Sequence, residues 1–203
     1  MASFPEAAQP LRRVGVGGRT EEFLPDQLTP AAAQISLAAE PVEWPYVFDQ
    51  ADRQVARFRG TTDQVDLSDE LKARTGALGL YGDAVLKDHL IVHNHPPRTG
   101  SDPVASFPPS PADLAMAVEC DLRSLIVLSG DSRYEIRRPG PAWPFDEDVL
   151  QELIDDIRAE LDAAEVKADA TSAGLAFRHR RVLERMNELR FVDYEQVARS
   201  SGV

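Results

Sequence analysis

Six prolines fall among the sixteen residues from Pro96 to Pro111, and this run limits what the middle of the chain can fold into. Proline lacks a backbone N–H and fixes φ, so a stretch this rich in proline can be neither a helix nor a fully paired strand. The run therefore predicts an extended loop that joins two regular elements.

The residues before this loop predict a strand, and the residues after it predict a helix. Before it, residues 84–92 are rich in Val, Ile and Leu, and they predict a central strand that ends at His93. After it, Ser110-Pro111-Ala112-Asp113 has a serine suited to the N-cap and a proline suited to the first helical position, which predicts a helix over 110–120. Strands are also predicted at 42–48, 54–58, 124–128 and 134–137, with a short helix from about 68. This mixture predicts an α/β (α+β) sheet domain over residues 39–140.

Composition divides the remainder of the chain into two further parts. Residues 1–38 are rich in Ala, Pro and Gly and predict a loosely ordered N-terminal arm, with a short helix near 30–37. Residues 141–203 contain apolar residues at helical spacing and predict two helices. The first of these helices is acidic and the second is basic. We therefore expect an antiparallel pair that forms a helical C-terminal extension.

The overall composition excludes several classes of function. The 203 residues carry 34 Asp and Glu against 22 Lys and Arg, a net charge of −12 that disfavours direct binding of nucleic acid. A single cysteine, Cys120, excludes an intrachain disulfide and a multi-cysteine metal site. No apolar run reaches the length of a membrane span, and the first residues lack the pattern of a signal peptide. We expect a cytoplasmic protein that has neither a membrane partner nor a direct nucleic-acid partner.

Three candidate metal ligands flank the proline-rich loop. Residues two apart on a strand face the same side, so His93 and His95 can direct both imidazoles at one point. Asp113 lies in the first turn of the following helix and can face that point across the loop. Two histidines and one aspartate leave a coordination position open, as catalytic zinc sites do. Each half alone also has a structural explanation, since histidines can end a strand and Ser110 with Asp113 can form a helix cap.

Together, these residues resemble the signature of the JAB/MPN (JAMM) zinc metalloprotease family. His93-Asn94-His95-Pro96 and Ser110-Pro111-Ala112-Asp113-Leu114 are most similar to its bacterial and phage-associated, RadC-like branch. The resemblance covers about residues 40–138. Fourteen residues separate His95 from Ser110, against seven in the family signature. The added segment, residues 97–106, is either a lip that faces the substrate or an ordinary longer surface loop.

The resemblance implies a JAB/MPN-like mixed β-sheet flanked by helices and a Zn2+ ion held by His93, His95 and Asp113. It also implies that Ser110 steadies the oxyanion or the water at the metal, and that an upstream glutamate is the general base. Glu43 is our first choice, because it opens the predicted strand 42–48 on the face opposite Trp44. Glu40, three residues earlier, is the alternative.

The implied activity is that of a zinc-dependent peptidase or isopeptidase, a deubiquitinase-like enzyme. Its implied substrate is the C-terminal tail of a ubiquitin-like protein or conjugate. If no glutamate reaches the metal, the domain is instead an inactive MPN-like interaction module that docks a partner through its C-terminal helices. A DNA-repair accessory of the RadC kind is a third hypothesis, and the acidic balance of the chain counts against direct DNA contact.

Overall fold

The structure is a computed structural model of the chain, and it describes residues 12–14, 20–22, 28–37, 40–57, 86–96, 107–163 and 172–198. Across these ranges the architecture is a six-stranded mixed sheet flanked by helices, which confirms the predicted α/β (α+β) class. Most of the predicted N-terminal arm, the predicted helix near residue 68 and the added segment 97–106 lie outside the described residues.

Eight strands and four helices lie in the part of the chain that the structure describes. The strands are β1 (Arg12–Val14), β2 (Thr20–Glu22), β3 (Tyr46–Phe48), β4 (Gln54–Arg57), β5 (Leu90–His95), β6 (Ser124–Ser129), β7 (Ser132–Arg137) and β8 (Asp193–Ala198). The helices are α1 (Pro30–Leu37), α2 (Pro111–Glu119), α3 (Glu147–Ala163) and α4 (Ser172–Glu188). Strands β1 and β2 pair with each other and not with the main sheet.

The main sheet has the strand order β4-β3-β5-β6-β7-β8. Strands β5 and β6 are parallel, and the other neighbouring pairs are antiparallel. A parallel pair needs a crossover connection, and α2 supplies it here. The carboxyl end of β5 and the first turn of α2 therefore meet at one edge of the sheet, where sheets of this kind commonly bind ligands.

The two faces of the sheet bury separate sets of apolar side chains. On one face, Ile91 and Leu125 pack with α2, α3 and α4 in the larger core. On the other face, Val92 and Ile126 pack with Ala33 and Leu37 of α1. Each buried Val, Leu or Ile side chain among these contributes about 1.5–3 kcal/mol through removal from water. The predicted C-terminal helices thus belong to the same core as the sheet.

The C-terminal region confirms one prediction and corrects another. Arg178 of α4 pairs with Asp162 of α3 at 2.7 Å, and Arg185 lies 3.5 Å from Glu160, so the basic and acidic helices do pack together. Only helices were predicted in this region, yet its described part also contains β8. That strand pairs with β7 over six residues while most of its side chains remain exposed. Backbone pairing, and not an apolar pattern, therefore determines β8.

An ionic cluster fixes the end of the sheet opposite the β5–α2 junction. The Arg138 guanidinium contacts Asp88 and lies 2.7 Å from Asp121, whose carboxylate also lies 2.8 Å from Lys87. The backbone N–H of Asp88 donates to the Asp121 carbonyl at 2.9 Å. Asp88 has a φ of 62°, so the chain turns here and β5 begins only at Leu90. The strand predicted over 84–92 therefore begins and ends later than expected.

A buried carboxylate on β7 is expected to make stability depend on pH. Burial alone would raise the pKa of Glu135, but hydrogen bonds from Arg137, Arg133 and Ser124 outweigh it and lower the pKa to about 2. The folded-state pKa is depressed, so this stabilisation is present above the ordinary value of 4.5 and is lost as the pH falls towards 2. Glu135→Gln should lower the free energy of unfolding at neutral pH by about 1–2 kcal/mol, allowing for solvent screening.

Urea unfolding at neutral pH and at pH values below 4.5 measures this effect. Glu195→Gln is the matched control, because Glu195 contacts the same Arg137 at 2.8 Å from an exposed position on β8. The control should change stability little. Equal losses in both variants, or a Glu135→Gln difference that persists unchanged in acid, would contradict this account.

None of the helices in the described residues is both long enough and apolar enough to span a membrane.

Candidate metal centre

The two histidines occupy the carboxyl end of β5 on one face of the sheet. Side chains alternate along a strand, so His93 and His95 share the face of Ile91, which carries α2. His93 is buried, and its ring centroid lies 5.0 Å from that of His95. The sequence-based prediction that both imidazoles face one point is confirmed by the 3.1 Å separation of their Nε2 atoms.

Asp113 reaches the same point from the first turn of α2. Ser110 is the N-cap, and its hydroxyl accepts a hydrogen bond from the Asp113 N–H at 3.2 Å. In return, Asp113 Oδ2 accepts from the Ser110 N–H at 2.6 Å and from the Ser110 hydroxyl at 2.7 Å. This reciprocal capping box fixes the carboxylate and also satisfies N–H groups of the first helical turn. The helix-cap explanation of the motif is thus confirmed, and the same geometry leaves the Asp113 carboxylate directed at the two histidines.

The three side chains lie close enough together to hold one metal ion, because one ligand atom from each lies within 4.8 Å of the others. Asp113 Oδ1 lies 3.2 Å from His93 Nε2, and Asp113 Oδ2 lies 3.4 Å from His95 Nε2, so each histidine contacts a different carboxylate oxygen. Zinc binds nitrogen and oxygen ligands at about 2.0–2.2 Å, and a tetrahedron with such bonds has edges of about 3.3–3.6 Å. The 3.1 Å separation of the two Nε2 atoms is slightly shorter than such an edge. His93, His95 and Asp113 form the one such group of three or more potential ligands in the described residues.

A second layer of contacts fixes which nitrogen of His95 is available. His95 Nδ1 lies 3.2 Å from the carbonyl oxygen of Phe107, which can only accept, so Nδ1 carries the hydrogen. The Nε2 lone pair is then directed towards Asp113. Phe107 itself is held from the other side, because its N–H donates to the Ser129 hydroxyl at 2.8 Å. Such outer contacts orient metal-binding histidines and set their tautomer.

The electrostatics of the cluster favour a bound cation. Burial alone would raise the pKa of Asp113, but the charges and hydrogen bonds of His95 and His93 outweigh it and hold the pKa well below its usual range. Burial likewise lowers the pKa of His95, but the Asp113 carboxylate and the Glu43 charge more than offset it, so the net shift is upward. A lone pair of His95 and an ionised carboxylate face each other here, and a proton or a metal ion between them relieves their repulsion.

The position of Glu43 corrects one prediction and supports another. Strand β3 begins at Tyr46, so Glu43 lies in an irregular segment and not on the strand predicted over 42–48. Pro41 and Pro45 interrupt strand pairing there because neither has an N–H to donate. Nevertheless, the Glu43 charge is close enough to raise the pKa of His95. Glu40, the alternative base, contacts the site region through its carbonyl, which accepts from Asn94 at 3.2 Å.

The structure brings together the predicted ligands His93, His95 and Asp113. It also places Ser110 directly against the Asp113 carboxylate, so that the serine hydroxyl donates to a ligand. Two supporting residues, Phe107 and Ser129, were not predicted from the sequence. Only the pairing of β6 with β5, which places Ser129 opposite His95, identifies them. The added segment 97–106, predicted as a lip or a loop, lies outside the described residues.

Comparison of the chain with protein-family models, with curated proteins and with solved structures gave no match in any of the three searches.

Proposed function

We propose that the protein is a zinc-dependent peptidase or isopeptidase of the JAMM type. The observation that carries this proposal is the convergence of two imidazole nitrogens, 3.1 Å apart, and one carboxylate whose two oxygens lie 3.2 and 3.4 Å from them, a set of three ligands that leaves a position for a reactant. The capping box and the tautomer-fixing contact of His95 support it, because both hold the ligand atoms in place before any ion binds.

Each residue of the cluster has a role in this proposal. His93, His95 and Asp113 would hold the zinc, which when bound acidifies water and polarises the carbonyl of the scissile amide. Glu43 accepts a proton from the attacking water and returns it to the departing amine nitrogen, so that one amide and one water give one acid and one amine. The action of the Glu43 charge on His95 supports this assignment.

Ser110 has two tasks in the proposed mechanism. Its hydroxyl donates to Asp113 Oδ2 at 2.7 Å and keeps the carboxylate oriented. For the hydroxyl to steady a substrate oxyanion, it must leave Asp113 and turn to the substrate. The carboxylate stays anchored during that rotation, because the Ser110 N–H bonds the same oxygen at 2.6 Å. The hydroxyl can therefore serve the reaction without releasing the ligand.

The proposed substrate is the C-terminal tail of a ubiquitin-like protein or of its conjugate, and the proposed location is the cytoplasm. The substrate comes from the motif resemblance and the location from the amino-acid composition, and neither comes from the geometry. The rival hypothesis, a non-catalytic module that docks through its C-terminal helices, is less well supported. Leu150, Ile154 and Leu183 of α3 and α4 are buried in the core of the sheet, which leaves Val149, Leu175 and Phe177 as the exposed large apolar residues of these helices.

Metal analysis combined with a chelation experiment tests the proposal. Purified protein should contain about one zinc per chain at neutral pH. It should also cleave one or more members of a panel of ubiquitin-like proteins that carry a fluorogenic amide at the C-terminal tail. A zinc chelator should abolish cleavage, and added zinc should restore it. Protein that takes up no zinc, or cleavage that survives complete chelation, would refute a zinc peptidase and favour the interaction module.

A further inference from the structure

The residue between the two histidines faces away from them. Alternation along β5 places Asn94 on the opposite side of the sheet from both imidazoles, on the face that carries α1. Its side chain is 3% exposed, so its polar atoms need partners within the protein. A carboxamide offers two N–H donors and one carbonyl acceptor, and each of these has a partner here.

All three hydrogen bonds of the Asn94 side chain go to one short backbone segment. Asn94 Nδ2 donates to the carbonyl of Glu40 at 3.2 Å and to the carbonyl of Val42 at 3.0 Å. Asn94 Oδ1 accepts from the N–H of Trp44 at 2.9 Å. The carboxamide thus bonds alternate positions of the segment, as a neighbouring strand would do. Since residues 40–45 lie outside any strand, this side chain substitutes for strand pairing.

Glu43 lies between two of the clamped residues. The Val42 carbonyl and the Trp44 N–H, one on each side of it in the chain, are both tied to Asn94. The backbone that carries the Glu43 side chain is therefore fixed to β5, the strand that supplies His93 and His95. A rotation of the segment would break at least two partly buried hydrogen bonds, and each of them carries a cost in free energy.

We propose that Asn94 is a positioning residue, which fixes the carboxylate of Glu43 relative to the metal ligands on either side of Asn94. The proposal rests on the function assigned above to Glu43. It explains how an irregular segment broken by Pro41 and Pro45 can hold a proton acceptor in a constant place. Strand β5 then positions both parts of the site. It carries the two imidazoles on one face, and on the other face its Asn94 carboxamide holds the segment that contains Glu43.

Cobalt(II) substitution gives a test that does not need the substrate. Unlike zinc, cobalt(II) absorbs visible light, so the pH dependence of its spectrum reports the proton affinity of the site. Glu43→Gln should lower the midpoint of that titration by about one pH unit, a tenfold decrease in proton affinity. The reason is that the substitution removes a neighbouring negative charge, which favours the protonated form of the site. Asn94→Leu, which keeps the volume but none of the hydrogen bonds, should give at least half of this shift in the same direction.

A double variant and a control complete the experiment. In Glu43→Gln/Asn94→Leu the midpoint should match that of Glu43→Gln alone, because Asn94 acts through Glu43. Ile91→Val, a conservative change of a buried residue on the same strand, should leave the midpoint unchanged. Cobalt affinity should fall by less than about 100-fold in all variants, since none of them removes a ligand.

The possible failures are distinguishable. Wild-type protein that binds neither cobalt nor zinc refutes the zinc peptidase and this inference together. Metal binding with a shifted midpoint in Glu43→Gln but a wild-type midpoint in Asn94→Leu overturns the inference alone. If the midpoint of Glu43→Gln is unshifted, Glu43 does not act on the metal site, and the inference about Asn94 fails as well. If Asn94→Leu loses cobalt, Asn94→Ser replaces it, and loss of cobalt there too means that Asn94 supports the ligands and not Glu43.

Discussion

Replacing His95 with alanine is expected to abolish stoichiometric zinc binding. The Nε2 atom of His95 lies 3.1 Å from that of His93 and 3.4 Å from Asp113, so its loss removes one of three converging ligands. Loss of an outer-shell partner alone costs about 10–100-fold in metal affinity, and loss of a ligand should cost at least about 100-fold. Metal analysis after dialysis should find about one zinc per wild-type chain and a small fraction of that in the variant.

His89→Ala is the matched control for this experiment. It removes a histidine that immediately precedes the same strand, where His89 Nδ1 contacts the Lys87 carbonyl at 2.9 Å far from the ligands. The control should retain full zinc content. Added zinc should also raise the melting temperature of wild-type protein and of His89→Ala but not of His95→Ala, because only binding to the folded state stabilises it. Equal zinc content in all three proteins would disprove the assigned ligand set.

Glu43→Gln should reduce hydrolysis by about 10²–10⁴-fold, the usual contribution of a positioned proton acceptor. Glutamine keeps the shape of the side chain and cannot accept the proton, so zinc content should not change. Glu40→Gln is the comparison, because Glu40 was the alternative base and contacts Asn94 through its backbone carbonyl, which the substitution leaves intact. Rates on a cleavable ubiquitin-like substrate, each normalised to bound zinc, decide between the two residues.

The activities of the Glu43→Gln and Glu40→Gln variants distinguish the two candidate bases. If Glu43→Gln keeps full activity while Glu40→Gln is inactive, the base has been assigned to the wrong residue. If both variants keep full activity, neither carboxylate accepts the proton, and the proposed mechanism fails although the zinc site survives.

The candidate site was largely predictable because its signals are local. The alternation of His93 and His95 follows from strand geometry, and the capping box of Ser110 and Asp113 follows from helix geometry. Each of these two patterns is complete within a few residues and does not depend on the fold of the remainder of the chain. Helix α1 at Pro30–Leu37 and strand β4 at Gln54–Arg57 were predictable for the same reason.

What the sequence did not reveal depends on distant partners. Strand β8 was missed because residues 193–198 are mostly exposed and carry no apolar alternation, so only the vacant edge of β7 makes them a strand. The irregular course of residues 40–45 follows from Pro41 and Pro45, but the contacts that hold it could not be predicted because they come from Asn94, some 50 residues later in the chain. Ser129 was missed for the same reason, since its contact with Phe107 requires β6 to lie beside β5.

The anchoring of Phe107 has a practical consequence for protein engineering. Its carbonyl is tied to His95 and its N–H to Ser129, so the chain returns to a fixed point three residues before the cap of α2. The position of Asp113 therefore does not depend on how many residues lie between Pro96 and Phe107, or on which residues they are. Lengthening a loop in this way costs little entropy. Peptides grafted into that stretch should therefore leave the contacts of His95 and Asp113 intact.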